Sequence, residues 1–560
     1  MDISNNIISY AGFTIGPIGE TLRHTKKTRE IWFASFFFSW YMEILLADIT
    51  ENKAIKCLTP FVPKPFKENK TRAGFFPDRF VLASELSLEE TYSIIEKANS
   101  QALEFFVSMI DDLVEQEGLT KTGKYSKEQT REILKDYIQS DFVVIPVEDI
   151  QPSAPVQNID FYLNALEENR SFCTGKSEHT CYRCKTLPGI VMIEDKYDER
   201  QKRQSRCPLC LLKTRCNNSS DIIERAGKAG QLYYPSTRDI SAAEFVHKIR
   251  TTSELENYKK TRKDGEIDLH DDEFRKIANI PLKSELKKAN KPDVVKPYHN
   301  YFAIFQADGD KLGDLAKSCN KPEELSEKLF NFSRAAIETV SRYKGEPIYF
   351  GGDDILAFMP TAFRNGNGKL FTIFDFALEI SQLYSNMIGT DKAKATISMG
   401  VNISYYKYPQ AQALQEAGGL LFNYAKKKRN SLFLNLIQHS GQTTKIGFEF
   451  SSEQIITFAS LFNGVLNENV KIPHTLHHNL ARFQTVLTSI NTVERLEAFF
   501  ANSFNEEIHQ NQAVAEGLES VRNLLKISLA LKNNEERKSS FESVLKQLKF
   551  LDFFRDDKNI

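Results

Sequence analysis

The sequence predicts an α+β chain in which the order strand, helix, strand, strand, helix, strand is laid down twice, with a cysteine-bearing insertion between the copies and a helical tail after them. Three observations carry this. Between Tyr301 and Ile403, apolar β-prone runs alternate with two long amphipathic patterns in that order. A weaker echo of the order occupies the stretch before Val147, and from about Ser452 every periodic segment is helical.

The bulk numbers bound the rest. At 560 residues the chain holds several domains, and a net charge of -1 means that any contact with nucleic acid must come from local patches. The longest apolar candidate, Ile31 to Ala47, carries Ser35, Ser39 and Glu43 and reads as a buried helix, so no contact with a membrane is expected. No signal peptide is expected, because Glu20 and Lys26-Lys27 interrupt the N-terminal stretch. Five of the eight cysteines fall between Cys173 and Cys210, the pattern of a metal cluster in a reducing cytoplasm and not of a secreted disulfide framework.

Residues 4–16 form the first strand, and Gly16-Pro17 turns it into a long helix from Ile18 to about Ala47. Pro60 to Pro65 is a rigid loop, Phe80 to Ala83 a short strand, Leu86 to Gln116 a helix and Asp141 to Val147 a strand. This is the order of a ferredoxin-like palm, but its first strand ends in Ile15-Gly16-Pro17 and offers no carboxylate, so no metal site is expected there. In the insertion, Cys181-Tyr182-Arg183-Cys184 and Cys207-Pro208-Leu209-Cys210 are two CxxC knuckles that complete a tetrahedral, structural zinc site. Cys173, His179 and Cys216 are expected bystanders. The charged segments Tyr258 to Lys263 and Lys283 to Lys296 read as solvated faces, with phosphate contact as the alternative; His270-Asp271 reads as surface.

The second copy is sharper. Tyr301 to Ala307 is a strand leading into Asp308-Gly309-Asp310, and a helix runs from Glu323 to Tyr343. A hairpin follows, with Gly351-Gly352-Asp353-Asp354 at its tip, then a helix from Leu370 to Met387 and a strand from Thr396 to Ile403. In a ferredoxin-like sheet the first and third strands are central neighbours, so Asp308, Asp353 and Asp354 converge at one edge. Three carboxylates at an open site suit Mg²⁺ or Mn²⁺ and two-metal phosphoryl or nucleotidyl transfer. Gln410 to Asn430 reads as a helix ending in Ala425-Lys426-Lys427-Lys428, Ser431 to Leu436 as a strand, and the tail as helices Glu453–Phe462, His474–Ile490, Thr492–Phe500, Ala513–Leu531 and Glu535–Phe550. Such a bundle is typically a docking surface. The expected divisions are a first palm at 1–165, a zinc-knuckle and helical insertion at 166–297, a second palm at 298–445 and a helical bundle at 446–560.

In order along the chain, Ile15-Gly16-Pro17-Ile18, Lys27-Thr28-Arg29-Glu30-Ile31-Trp32, the paired knuckles, Asp308-Gly309-Asp310, the Gly-Gly-Asp-Asp hairpin, Ser398-Met399-Gly400-Val401 and Ala425-Lys426 resemble the large palm subunit of type III CRISPR effector complexes, of the Cmr (type III-B) branch. The resemblance implies two facing palms with nucleotides between them. It implies a Mg²⁺-dependent attack of an ATP ribose 3′-hydroxyl on the α-phosphate of another ATP to give cyclic oligoadenylate, switched on when target RNA pairs with the CRISPR RNA. It implies metal on Asp308, Asp353 and Asp354, and nucleotide contact by Gly309, Asp310, Gly351, Gly352, Ser398 and Lys426. Larger members begin with an HD nuclease; here the first palm starts within the first ten residues, so no DNase activity is expected. Compact relatives that join AMP to S-adenosylmethionine keep a second product open. A non-enzymatic scaffold anchoring the CRISPR RNA and neighbouring subunits, and a stand-alone diguanylate cyclase, are the competing readings.

Overall fold

The computed structural model describes residues 6–63, 72–122, 125–151, 154–170, 180–194, 203–227, 232–249, 251–262, 265–318, 321–389, 394–503, 511–531 and 533–555. Cys173 and His179 lie outside them.

The first palm carries β1 (Ser9–Gly16), β2 (Ile55–Thr59) and β3 (Arg79–Ser84); β4 (Thr120–Lys121) leaves it, and β5 (Gln139–Pro146) returns to it. Its sheet runs β2-β3-β1-β5, antiparallel throughout, which is the ferredoxin-like order. The single helix expected from Ile18 is two, Ile18–Arg23 and Thr28–Ile49. The Thr25 hydroxyl donates to Leu22 O at 2.6 Å and ends the first; the Glu30 carboxylate accepts from Lys26 N at 2.7 Å and starts the second. Among the described residues, Thr28–Ile49 is the one helix long and apolar enough to cross a membrane, but 83% of its apolar window is buried within the fold. It is apolar all round because it packs against protein on every side, including the second palm.

The cysteine hairpin, β6 (Val191–Glu194) and β7 (Arg203–Arg206), adds to β4 as a three-stranded sheet. Its cysteines share one hydrophobic core with the first palm, so the knuckles are an extension of that palm.

In the second palm, β8 (Tyr301–Gly309), β9 (Glu346–Gly351) and β10 (Asp354–Pro360) are followed by a small hairpin, β11 (Ala362–Arg364) with β12 (Leu370–Thr372), and by β13 (Ile397–Tyr405), β14 (Ser431–Ile437) and β15 (Thr443–Glu449). The main sheet runs β15-β14-β13-β8-β10-β9. The helix expected from Leu370 starts at Ile373, because the Thr372 hydroxyl accepts from Asp375 N while the Asp375 carboxylate accepts from Thr372 N at 2.9 Å. The strand β14 is parallel to β13, and β15, absent from the sequence reading, crosses the division expected at 445.

Alternation fixes what each face of this sheet meets. Along β8, Tyr301, Ala303, Phe305 and Ala307 enter the core shared with the helices Pro322–Arg342 and Ile373–Ile388 and with the C-terminal helices. Phe302 and Ile304 enter the core of the first palm. On β10, Ile355, Ala357 and Met359 go one way, and Leu356 and Phe358 the other. A backbone bridge also joins the palms: Gly74 N donates to Ile348 O at 3.2 Å, and Phe350 N donates to Gly74 O at 2.8 Å.

The tail forms helices Glu453–Leu466, His474–Arg482, Gln484–Ser489, Val493–Ser503, Gln512–Leu529 and Asn534–Phe554. The expected helix from His474 to Ile490 breaks at Phe483. The bundle has no separate core: Phe374 of the palm meets Phe458 and Phe550 with ring centroids 5.3 and 6.2 Å apart.

Candidate functional site

The alternation that buries β8 and β10 also aims their ends. Ile355 pairs with Ala307, so Asp354 and Asp308 follow at the end of that ladder. Both continue the series of Phe302, Ile304, Leu356 and Phe358, and so lie on the face turned toward the first palm. Asp353 sits at the hairpin tip, with its carboxyl in hydrogen-bond reach of Asp308. Gly352 takes φ 82°, and Ser333 clamps it, its hydroxyl accepting from Gly352 N and donating to Gly352 O, both at 3.1 Å.

The three carboxylates press on one another. Burial, then the neighbouring Asp308 charge, pushes Asp353 up to about 7. Burial raises Asp308 against the pull of Lys426. The Asp354 side chain reaches solvent but lies low between the palms; that partial burial, then the charges of Asp353, Asp308 and Asp78, raise it well above the carboxylate range. Asp78 comes from the first palm, just before β3. β1 ends in Ile15-Gly16, and the first palm adds its negative charge to the site through Asp78 instead. Three carboxylates are hard oxygen donors of the kind that Mg²⁺ or Mn²⁺ takes; here Lys426 already offsets part of the Asp308 charge, and among the described residues it is the cysteines, not these carboxylates, whose ligand atoms close to within 4.8 Å of one another.

Lys426 is placed at the site. Its ammonium is 2.8 Å from Asp308 Oδ1 and also donates to Gly309 O. The helix before it widens into a π turn, Leu421–Ala425, and Arg429 at φ 62° ends it. Lys428 pairs with Glu449 at 3.4 Å on the surface.

Asp310 and Ser398 are not where a nucleotide contact needs them. Ser398 is fully buried, and its hydroxyl donates to Asp310 Oδ1 at 2.7 Å. Asp310 Oδ2 accepts from Thr396 Oγ1 at 2.9 Å and from Asn430 N at 2.8 Å. The pair ties the loop after β8 to β13 and to the end of the lysine helix, and so holds Lys426 against Asp308. The expected direct contact is corrected on this ground. The glycines are also explained locally. A Cβ on Gly309 would lie 2.2 Å from Tyr384 Oη and 2.8 Å from Asp353 Oδ2, and one on Gly351 would strike the Tyr349 hydroxyl. Ser333 and Tyr384 escaped sequence reading. Tyr384 is buried, and its hydroxyl has no hydrogen-bond partner among the described residues. Both look like ordinary helix residues until the hairpin is folded onto them.

Beside Gly351, Gly352 and Asp353 a cavity of about 300 Å³ opens between the palms, walled by Phe75 and Phe80 of the first and by Leu329 and Phe330 of the second.

The cysteines of the two knuckles are brought together. The sulfurs of Cys181, Cys184, Cys207 and Cys210 lie within 4.8 Å of one another, and those of Cys184 and Cys207 are 3.9 Å apart. A tetrahedral zinc with bonds of about 2.3 Å needs sulfurs about 3.8 Å apart, so the cluster fits. Cys216 stays outside it: its thiol donates to Lys213 O, and burial pushes it up to about 12.

Residues 301–433 match the family model for the second palm domain of Cas10/Cmr2. The second palm is similar to a Cas10/Cmr2 palm. The CRISPR system Cmr subunit Cmr2 of Pyrococcus furiosus is 28% identical over 171 residues, which cover 25% of this chain and 19% of that protein. Two solved structures share the fold over 90% of this chain: a type III-B Cmr-beta complex bound to cognate target RNA, with TM-score 0.61, 14% identity and 79% of that chain covered, and the apo state of Cmr-beta, with TM-score 0.59, 12% identity and 77% covered. The Cas10/Cmr2 match ends before β15 and takes in Asp308, Asp353, Asp354, Ser398 and Lys426.

Proposed function

We propose that the chain is the palm-bearing large subunit of a type III-B (Cmr) CRISPR ribonucleoprotein in the cytoplasm, and that its second palm makes a nucleotide second messenger from ATP when the complex binds target RNA. A bond forms between the 3′-oxygen of one ATP and the α-phosphorus of another. The bond from that phosphorus to the bridging oxygen of the β-phosphate breaks, pyrophosphate leaves, and the hydroxyl proton passes to water. Repetition and closure give cyclic oligoadenylate. Asp308, Asp353 and Asp354 would hold Mg²⁺ or Mn²⁺, which supplies positive charge for the phosphates and a more acidic hydroxyl. Lys426 steadies Asp308 and faces the phosphate side of the site. Ser333 fixes the hairpin tip, and the cavity between the palms receives a base beside Gly351 and Gly352. The cysteine cluster would hold a structural zinc, with no open ligand position.

The observation that supports this most is the placement of Asp308 and Asp354 on the sheet face turned toward the first palm, with Asp353 in reach of Asp308. A scaffold has no use for three repelling carboxylates there. The test is reconstitution with CRISPR RNA, target RNA, Mg²⁺ and labelled ATP, with S-adenosylmethionine added or withheld, and mass spectrometry of the products. Cyclic oligoadenylate made by wild type and lost in Asp353→Ala/Asp354→Ala supports the reading. A product that appears only with S-adenosylmethionine replaces cyclisation with adenylylation at the same site. No product under any condition favours the scaffold.

A further inference from the structure

Where the first palm, the insertion and the second palm meet, on a different part of the surface from the carboxylates, lies an open groove of about 1030 Å³. Small-molecule sites are typically about 300–1,000 Å³, so this one suits an extended ligand. Its walls are basic. Lys26, Lys27 and Arg29 come from the first palm, Lys260 from the insertion and Lys407 from the turn after β13; Glu256 and Glu266 are the acids that face them. Lys259 also lines it but is tied to Asp239 at 2.5 Å.

The walls are also aromatic. Tyr233, Tyr234, Tyr406 and Tyr408 line the groove; Tyr234 is braced by stacking on Trp32 at 5.4 Å, and Arg238 lies against the Tyr406 ring at 4.2 Å. Two helices begin in it: Thr28–Ile49, whose first turn already holds the buried Glu30 carboxylate, and Gln410–Leu420, which has no side-chain cap and offers the positive end of its dipole to an anion. Three polar atoms of groove residues, Arg29 Nε, Tyr234 Oη and Gln410 Oε1, are buried without a hydrogen-bond partner among the described residues.

We propose that this groove binds single-stranded nucleic acid, with phosphates along the lysines and the start of the Gln410–Leu420 helix and bases stacked on the tyrosines. Cationic walls interleaved with aromatic rings are what an unpaired strand needs: charge for the backbone and flat faces for bases. The proposal rests on the groove alone. RNA binding without any product from ATP would overturn the reading of the palm site and leave this one standing; product without strand binding would do the reverse.

The test is fluorescence anisotropy of the full chain with a labelled twelve-nucleotide RNA, the same sequence as DNA, and a blunt duplex, over a salt series. Each phosphate neutralised contributes about -0.7 to the slope of log K against log salt, so four contacts give about -3. Reversing Lys26, Lys27 and Lys260 together to Glu should weaken binding at least tenfold with an unchanged circular dichroism spectrum. Lys538→Glu, on the exposed face of the last helix, should stay within twofold of wild type. Tyr408→Leu, which keeps apolar bulk but removes the ring, should weaken binding at least threefold and leave the salt slope alone. Equal affinity for RNA and DNA supports reading by phosphates and bases; a tenfold preference for RNA supports an added contact to the 2′-hydroxyl. Wild-type affinity in the triple variant, or duplex bound as tightly as single strand, overturns the proposal.

Discussion

Removing the Ser398–Asp310 hydrogen bond separates two roles for Ser398, holding the site and touching the nucleotide. The bond is 2.7 Å long and buried, and its acceptor also takes Thr396 Oγ1 and Asn430 N, with Lys426 Nζ 3.9 Å away. A hydrogen bond to a charged group contributes about 1.5–3 kcal/mol, so Ser398→Ala should cost about that much. Asp310→Asn keeps an oxygen for Thr396 and Asn430 but turns its amide to Ser398, whose hydroxyl can then donate to Ala425 O, 3.3 Å away. Losing the charge besides should bring the cost to about 2–4 kcal/mol. Both substitutions remove the same bond, so the double variant should fall short of the sum by about 1–2 kcal/mol. Both tryptophans, Trp32 and Trp40, lie in the first palm, so the readout is hydrogen exchange of the Ile397–Tyr405 strand in place of intrinsic fluorescence. Costs that add to within about 0.5 kcal/mol would refute the coupling. A raised KM for ATP in Ser398→Ala with stability unchanged would return the residue to the nucleotide.

Gly309→Ala should cost about 1–3 kcal/mol by overpacking, and Tyr384→Phe should recover part of it, because the new Cβ would lie 2.2 Å from the Tyr384 hydroxyl; thermal melts of the two singles and the double check this. Without metal, the raised Asp353 makes the folded chain bind more protons than the unfolded one between about pH 4 and pH 7, so stability falls as pH rises across that window, by an amount on the order of 2–4 kcal/mol. Mg²⁺ should therefore raise the melting temperature more at pH 8 than at pH 5, and Asp353→Asn should flatten the dependence. Metal analysis of the purified chain should find one zinc, and Cys181→Ser with Cys210→Ser should lose it and destabilise the first palm as well, because the cluster sits in that palm's core.

The second palm was legible because β8 and β10 each open on or contain a run of five apolar residues, Tyr301 to Phe305 and Ile355 to Met359, and Asp308 and Asp354 sit at the ends of those strands. The cysteine cluster was legible from its spacing alone. Short elements were missed where a side chain overrides periodicity: the break before Thr28 depends on Thr25 and Glu30, and the Ile373 start depends on Thr372 and Asp375. The strand β15 was missed because Thr443 to Glu449 alternates one buried residue with one exposed, a weak apolar signal that reads as a strand only beside β14. Asp78, Ser333 and Tyr384 carry no local pattern at all. They reach the site from 20 to 275 positions away: Ser333 and Tyr384 when the second palm's helices pack on its hairpin, Asp78 when the two palms close.

The hairpin that carries Asp353 and Asp354 belongs to the second palm by sequence but is anchored in both. Its first strand, β9, is the edge of the sheet, which would leave its outer backbone groups open. Gly74 of the first palm occupies that edge through Ile348 O and Phe350 N, three residues before Asp353. On the other side Ser333 holds Gly352, one residue before Asp353, from the palm's own helix. The tip is thus fixed from opposite directions within three residues, and Asp78 adds the first palm's charge to the carboxylates it presents. Sliding the first palm away would break two backbone hydrogen bonds at Gly74, uncover the edge of β9 and lower the negative potential at Asp354 in one movement. The geometry of the carboxylates is therefore a property of the two palms together, and the first palm takes part in the site through Gly74 and Asp78.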